Sequence, residues 1–297
     1  MDDNTSTRVT PHIASVSMWE GNLGDIYPPD GGSQQAKDVI DALEGAGIPC
    51  CLVGVAALKY FGAARISEDW TICVPTEQLS AASSVLQSQS THELCAPRHP
   101  YPESLYHTFP LFKLKGSVAW IQLVPSSDCH FECTPSNFER SHKGLPYARL
   151  DIFAQSLLDT YDLVDLVDLV DGMDLSPEWG IENLQLDGTV DVAWAERKNE
   201  AIRASVPLTD SSCLLELNAA PWGRRETWEG IVGSKQSRIG PEIPKEFWAT
   251  RFRPKGDQDP RLPRGEGAFD SLKDMKYSGD PGNYDVVVVN WDQVAET

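Results

Sequence analysis

The sequence predicts an α/β (α+β) protein with a mixed sheet flanked by helices, and three observations support this fold class. Helical and strand-like segments alternate through the first half of the chain, an apolar segment runs directly into a glycine turn, and a hairpin pattern follows. With 41% hydrophobic residues and nine tryptophans, the 297 residues can bury a sizeable core. We therefore expect a folded sheet protein whose C-terminal half is rich in helices and loops.

The elements of the first half follow from hydrophobic spacing. The segment SQQAKDVIDALEG has apolar residues at helical spacing, and the glycines at its end predict where the helix stops. PCCLVG predicts a short buried strand, VAALKYFG a short helix and WTICVP a second strand. TEQLSAASSVLQSQ predicts a helix with Thr76 as its N-cap. YHTFPLFKLKGSVAWIQLVP then predicts a hairpin, with strands at 106–114 and 118–124.

The second half begins with a long helical tract, LDIFAQSLLDTYDLVDLVDLVDGMDL, in which DLV recurs three times. Its Leu and Val predict a broad buried face and its aspartates a solvated acidic edge, with a strip for divalent cations as the alternative. GTVDVAWAERKNEAIRASV predicts another helix, and the valine run at 284–291 predicts a strand that returns to the sheet. The predicted organisation is an N-terminal segment (1–33), an α/β core (34–140) and a helical and loop-rich C-terminal region (141–297).

Charge and composition exclude several classes of partner. The formal net charge is −19 and the basic residues are scattered, which argues against binding to the nucleic-acid backbone and to anionic membranes. No apolar run approaches the roughly 20 residues of a membrane-spanning helix. The polar, acidic start, MDDNTSTRVT, resembles neither a secretory signal nor a transit peptide. The expected location is cytoplasmic.

The seven cysteines are irregularly spaced and do not form a disulfide framework. Cys129 and Cys133, with His130 beside them, suggest a zinc site, but a second ligand pair at the spacing of a zinc finger is missing. The sequence therefore favours reduced, buried thiols and no bound metal.

One short motif carries the functional expectation. Val53 and Gly54 precede a short helix, and Asp69 begins the following strand. With this order of elements, the segment at about residues 35–125 resembles the nucleotidyltransferase superfold, in particular a branch of uncharacterised fungal proteins. That resemblance implies two divalent ions held by three carboxylates, two on one strand and the third on a later strand.

Most positions of that motif are changed in this chain. Asp69 matches the first carboxylate, whereas Thr71 stands at the second position and Gln122 at the third. Val55 replaces the second small residue, and its β-branched side chain would crowd a bound triphosphate. A single carboxylate does not provide the charge that offsets the desolvation of two divalent ions. The altered motif therefore predicts a site without metal.

The expected function is that of a metal- and cofactor-independent enzyme on this altered scaffold. It would hold an apolar small molecule in one reactive conformation, for a cyclisation or isomerisation in fungal secondary metabolism, with pericyclic reactions such as a Diels–Alder cycloaddition as one type. The predicted catalytic residues are Gln122, Thr71, Asp69 and His107. The predicted substrate-binding residues are Trp120, Trp70, Val55, Gly54 and Tyr106.

Two other functions remain open from the sequence. A surviving nucleotidyltransferase would combine Asp69 with carboxylates from elsewhere, such as Asp128 or Glu132. A non-catalytic binding module would use the same scaffold to contact a protein partner. In a purely structural interpretation, Asp69 only orients the turn near Arg65, and Trp70 belongs to the core.

Overall fold

The computed structural model describes residues 33–65, 69–115, 120–206 and 216–262. Its strands are β1 (Cys51–Val53), β2 (Asp69–Val74), β3 (His92–Leu94), β4 (Leu111–Leu114), β5 (Trp120–Pro125), β6 (Phe138–Arg140) and β7 (Pro146–Ala148). Its α-helices are α1 (Ser33–Gly45), α2 (Gly54–Tyr60), α3 (Leu79–Ser88), α4 (Leu150–Asp159), α5 (Leu163–Met173), α6 (Pro177–Asn183), α7 (Val192–Ser205) and α8 (Arg224–Gly233). None of these helices is long and apolar enough to cross a bilayer.

The strands form one mixed sheet in the order β3-β4-β5-β2-β1-β7-β6. β2 runs parallel to β5 and β1 parallel to β7, whereas the other neighbouring pairs are antiparallel. The central strands are apolar on both faces, and Leu52, Ile72 and Leu123 are fully buried. This sheet, with helices packed against it, confirms the predicted fold class.

Most predicted elements of the first half are present, with two corrections. The first hairpin strand begins only at Leu111, because residues 106–108 form a 3-10 turn instead. Thr76 is not a helix N-cap: it starts a 3-10 turn, and its Oγ1 accepts from the Ser127 amide at 2.9 Å. The strand predicted at 284–291 lies outside the described residues.

The long helical tract is two helices, not one. Tyr161, between α4 and α5, has a positive φ of 57°, which a continuing helix does not allow. Asp162 then caps α5, because its carboxylate accepts from the Asp165 amide at 3.1 Å. This break exposes the first turn of α5 to a cavity described below.

The aspartates of α5 do not form the solvated edge that the repeat predicts. Asp168 and Asp171 are 3% and 0% exposed, respectively. Arg238 donates to both carboxylate oxygens of Asp171, at 2.6 and 2.8 Å, and Arg251 bridges Asp171 and Asp168. The interpretation as a solvated edge is wrong for these two residues, because arginines far along the chain fold back over them.

Close backbone packing at Gly172 gives a stability prediction. A Cβ at Gly172 would lie 2.5 Å from the Phe61 carbonyl oxygen and 2.7 Å from the Ala63 amide nitrogen. Gly172→Ala should therefore destabilise the fold by about 1–3 kcal/mol through overpacking, although Ala favours helices. At Gly230 in α8 an added Cβ would meet nothing within 4 Å, so Gly230→Ala should stabilise by about 0.5–1 kcal/mol. Urea unfolding of both variants checks the opposite signs, and equal shifts would contradict the packing.

Candidate functional site

The polar positions on β2 and β5 lie side by side. The parallel register pairs Asp69 with Trp120 and Thr71 with Gln122. Val53 of β1 pairs with Thr71 from the other side. Paired residues share a face of the sheet, so these side chains come together as the strand alternation requires.

Their contacts differ from those of a divalent-ion site. Arg98 donates to the Asp69 carboxylate at 2.8 Å. Gln122 is 1% exposed, and its amide donates to the carbonyl oxygens of Phe109 and Pro110 at 3.2 and 3.0 Å. The carboxylate is thus paired with a guanidinium, and the amide holds the backbone that leads into β4. Among the residues described, no three carboxylates converge here.

The predicted wall residues around this cluster lie apart from one another. Trp120 lies near two cations, with Arg98 5.9 Å and Lys113 5.4 Å from its ring centre. Trp70 follows Asp69 on β2 and so points to the opposite face, where it packs against the core. Val55 lies in the first turn of α2, outside the cavity wall described next.

A cavity of about 720 Å³ lies beside this cluster. Its walls come from the end of β1, the loop before β4, the segment after β5, the α4–α5 junction and α7. Of the predicted site residues, Gly54, Tyr106 and His107 line it, whereas Asp69, Thr71, Gln122, Trp120, Trp70 and Val55 do not. Its volume is in the range of small-molecule sites.

Gly54 shapes the floor of the cavity. Its φ of +58° is left-handed, and a Cβ there would approach Thr71 Oγ1 at 3.8 Å and the Tyr106 hydroxyl at 4.0 Å. The Tyr106 side chain is partly buried and packs against the core, and desolvation, followed by the nearby Cys129 and Asp128, holds its pKa well above the usual value. Tyr106 therefore remains a neutral hydroxyl that can donate or accept a hydrogen bond.

His107 lies in the wall with one nitrogen engaged. Its Nε2 is 2.9 Å from the Ser205 hydroxyl of α7. Its Nδ1 is buried and has no hydrogen-bond partner among the described residues. This contact fixes the ring and ties the loop before β4 to the end of α7.

The carboxylates considered as substitute metal ligands do not join Asp69. Asp128 forms an ion pair with Lys198 at 3.0 Å, and both side chains are nearly buried. Lys198 also lies 4.9 Å from the ring centre of Trp194. Glu132 is exposed and does not line this cavity. The positive charge of Lys198 therefore already compensates Asp128.

Two further carboxylates face the cavity from the start of α5. Burial, followed by the neighbouring Asp162 charge, raises the pKa of Asp165 to about 7. Arg65, whose Nη2 lies 3.4 Å from Asp165 Oδ1, lowers this pKa and so acts in the opposite direction. Desolvation by the cavity wall also raises the pKa of Asp162, although the residue as a whole is exposed. Sequence reasoning placed these residues on a solvated edge; the DLV repeat was the only signal of them.

Neither a protein-family model nor a curated protein matches this sequence. Solved structures with similarity to it include the antibiotic-resistance factor ANT(2'')-Ia, an aminoglycoside adenylyltransferase, in a solution structure (12% identity, 58% of this chain and 89% of that chain, TM-score 0.32). The crystal structure of ANT(2'')-Ia in complex with adenylyl-2''-tobramycin is 11% identical over 55% of this chain and 97% of that chain, with a TM-score of 0.33. JHP933 from Helicobacter pylori is 15% identical over 69% of this chain and 89% of that chain, with a TM-score of 0.31. Such similarities carry no residue roles, so side-chain functions in this chain follow only from its own geometry.

Proposed function

We propose that this chain is an enzyme that binds a largely apolar small molecule in the cavity and isomerises or cyclises it by acid–base chemistry, without a catalytic metal or organic cofactor. The observation that carries this proposal is the pair Asp162 and Asp165, which faces an apolar-walled cavity beside the Tyr106 hydroxyl. Perturbed carboxyls in a cleft are typical of catalytic acids and bases. We therefore assign the proposed catalytic role to Asp162 and Asp165 at the start of α5, and not to the predicted Thr71 and Gln122.

The charges of the cavity wall favour a neutral or cationic substrate. The two basic side chains in the wall, Arg98 and Lys198, are each paired with a carboxylate, Asp69 and Asp128 respectively. Asp162 therefore adds negative charge close to the substrate, and Asp165 adds none while it holds its proton. A triphosphate would be repelled by this arrangement, because like charges at short range are costly.

The proposed chemistry uses a proton held at Asp165. Asp165 donates this proton to a substrate oxygen or carbon, and Asp162 accepts one from a neighbouring position. The substrate gains and loses one proton, so its mass does not change, and exchange with solvent at the exposed Asp162 and at Asp165 returns both carboxyl groups to their starting states. Tyr106 orients the substrate by a hydrogen bond, and the apolar walls, which include Phe153, Leu157 and Leu163, restrict its conformation.

Mass-neutral conversion gives a direct test. The purified chain is incubated with a metabolite extract of its source cells, without added nucleotide or divalent ion, and analysed by liquid chromatography with mass spectrometry. We expect one compound to be replaced by an isomer of identical mass. Addition of a nucleoside monophosphate to a compound, in a parallel sample with ATP and Mg²⁺, would contradict the proposal and favour nucleotidyl transfer.

Two tryptophan variants, one that fills the cavity mouth and one that lies away from it, test whether the reaction takes place in the cavity. Val164 is 63% exposed and lines the cavity mouth, whereas Ile181 is 61% exposed on α6 and lies away from the cavity. Val164→Trp should abolish both the conversion and the binding of apolar fragments in ligand-observed NMR, because the indole fills the mouth. Ile181→Trp should leave both unchanged. Full conversion by Val164→Trp would place the reaction elsewhere.

A further inference from the structure

Three cysteine thiols converge in the core although they are scattered in the sequence. Cys51 of β1 and Cys73 of β2 are directly opposite each other in the antiparallel register. Cys133, in the segment after β5, joins them, and the three Sγ atoms lie within 4.8 Å of one another. Cys51 and Cys73 are 0% exposed and Cys133 is 4% exposed.

A fourth thiol lies at the edge of this cluster. Cys129 is close enough to Cys73 to raise the pKa of that thiol, although it is not one of the three convergent thiols, and it also lines the cavity. Its side chain is partly exposed, so it connects the buried thiols with solvent. A metal ion can therefore reach the cluster through the cavity.

We propose that Cys51, Cys73, Cys133 and Cys129 bind one Zn²⁺ in a closed, four-thiolate structural site. Four sulfurs arranged tetrahedrally at about 2.3 Å from zinc are about 3.8 Å apart, so the three convergent thiols need a contraction of no more than about 1 Å, and Cys129 has to approach them to complete the site. Thiolates are soft ligands that select zinc over the hard ions Mg²⁺ and Ca²⁺. A closed site leaves no position for substrate, and this inference does not depend on the proposed function.

The site would have a defined structural role. It would join β1 and β2 to the segment between Cys129 and Cys133, which supplies Phe131 to the cavity wall. Cys133 already contacts this sheet, since its Sγ lies 3.4 Å from the Cys73 carbonyl oxygen. Bound zinc would thus hold the cavity wall against the sheet.

Metal content of the full chain tests the site. The chain is expressed with zinc added, freed of loosely bound ions by gel filtration, and analysed for metal and protein. We expect one zinc per chain. Cobalt(II) added alone to the metal-free chain should give the thiolate charge-transfer and visible d–d bands of a tetrahedral sulfur site. This second measurement needs no variant, so it remains informative if the variants fail to fold.

The adjacent cysteine provides the matched control. Cys50 is as fully buried as Cys51 but is not among the three convergent thiols. Cys51→Ala and Cys133→Ala should weaken zinc binding by more than about 100-fold, since even second-shell changes cost up to that factor. Cys50→Ala should keep one zinc. The proposal is overturned if the wild-type chain takes up no stoichiometric zinc, if zinc persists in Cys51→Ala, or if the intact mass shows a disulfide.

Discussion

Asp171→Ala is expected to lower the free energy of unfolding by about 3 kcal/mol, because it leaves buried guanidinium charge without a partner. Asp171 is fully buried and bonded by Arg238 and Arg251. Removal of one partner of a buried ion pair typically costs about 3–5 kcal/mol. We expect the lower end, because the two arginine side chains are 17% and 32% exposed and can turn towards water. Urea unfolding monitored by circular dichroism measures the change.

An exposed ion pair of the same type is the control. Asp187 is 94% exposed and lies 3.0 Å from Arg225. Asp187→Ala should change the unfolding free energy by less than about 1 kcal/mol, as is usual for pairs in water. If both variants lose the same stability, the loss comes from removing a negative charge from an acidic chain. The buried network would then not hold α5 to the segment that contains Arg238 and Arg251.

Asp165→Asn should reduce the rate of the proposed reaction by about 10²- to 10⁴-fold, the usual contribution of a positioned acid or base. Asn has nearly the same shape and keeps a hydrogen bond to Arg65, but it cannot donate a proton to the substrate. In the wild-type chain the rate should decline as pH rises through about 7, because the acid form of Asp165, whose pKa is raised to about 7, is lost there, and it should also decline at low pH, where Asp162 is protonated. A rate that rises through that pH would contradict a role as general acid.

Stability gives a second measurement that needs no substrate. Because the pKa of Asp165 is raised to about 7 in the folded state, the folded chain binds more protons than the unfolded chain between about pH 4 and that value. This contribution to stability is complete below about pH 4 and is lost as pH rises through the folded pKa. Asp165→Asn should therefore gain stability relative to wild type from about pH 4 to above neutrality.

The exposed Asp187 again separates specific from general effects. Asp187→Asn removes the same formal charge without touching the cavity wall. If the two Asn variants show the same dependence on pH relative to wild type, the proton held at Asp165 is not the cause. The reaction rate of Asp187→Asn should equal that of the wild-type chain.

Local patterns were sufficient to predict most elements of the fold and part of the site. Side-chain alternation placed Asp69 with Thr71 and Trp120 with Gln122, and the parallel register of β2 and β5 brings these pairs together. Between these strands α3 and β4 also follow from spacing, whereas β3 was not predicted. These features depend on residues close together in the chain, so local sequence patterns are sufficient to predict them.

The features that the sequence did not reveal depend on distant residues. Arg238 and Arg251 bind Asp171, which lies about 70 to 80 positions earlier, and no local sequence pattern predicts that contact. The turn at Tyr161, in a conformation that is uncommon for a side chain of this size, brings Asp165 to the cavity. The thiol cluster depends on the register of β1 and β2, where a slip of one residue would replace Cys51 with Cys50.

The parallel pairing of β2 with β5 has a consequence for how the chain acquires its cavity. The two strands are separated by a helix and two other strands, so they meet only after a long loop has closed. Contacts between residues far apart in sequence form slowly and late in folding. The cavity wall beside these strands joins residues as far apart as Val53 and Asn218, so it has no precursor in any short fragment, and the ability to hold a ligand should appear in one step with the completed sheet.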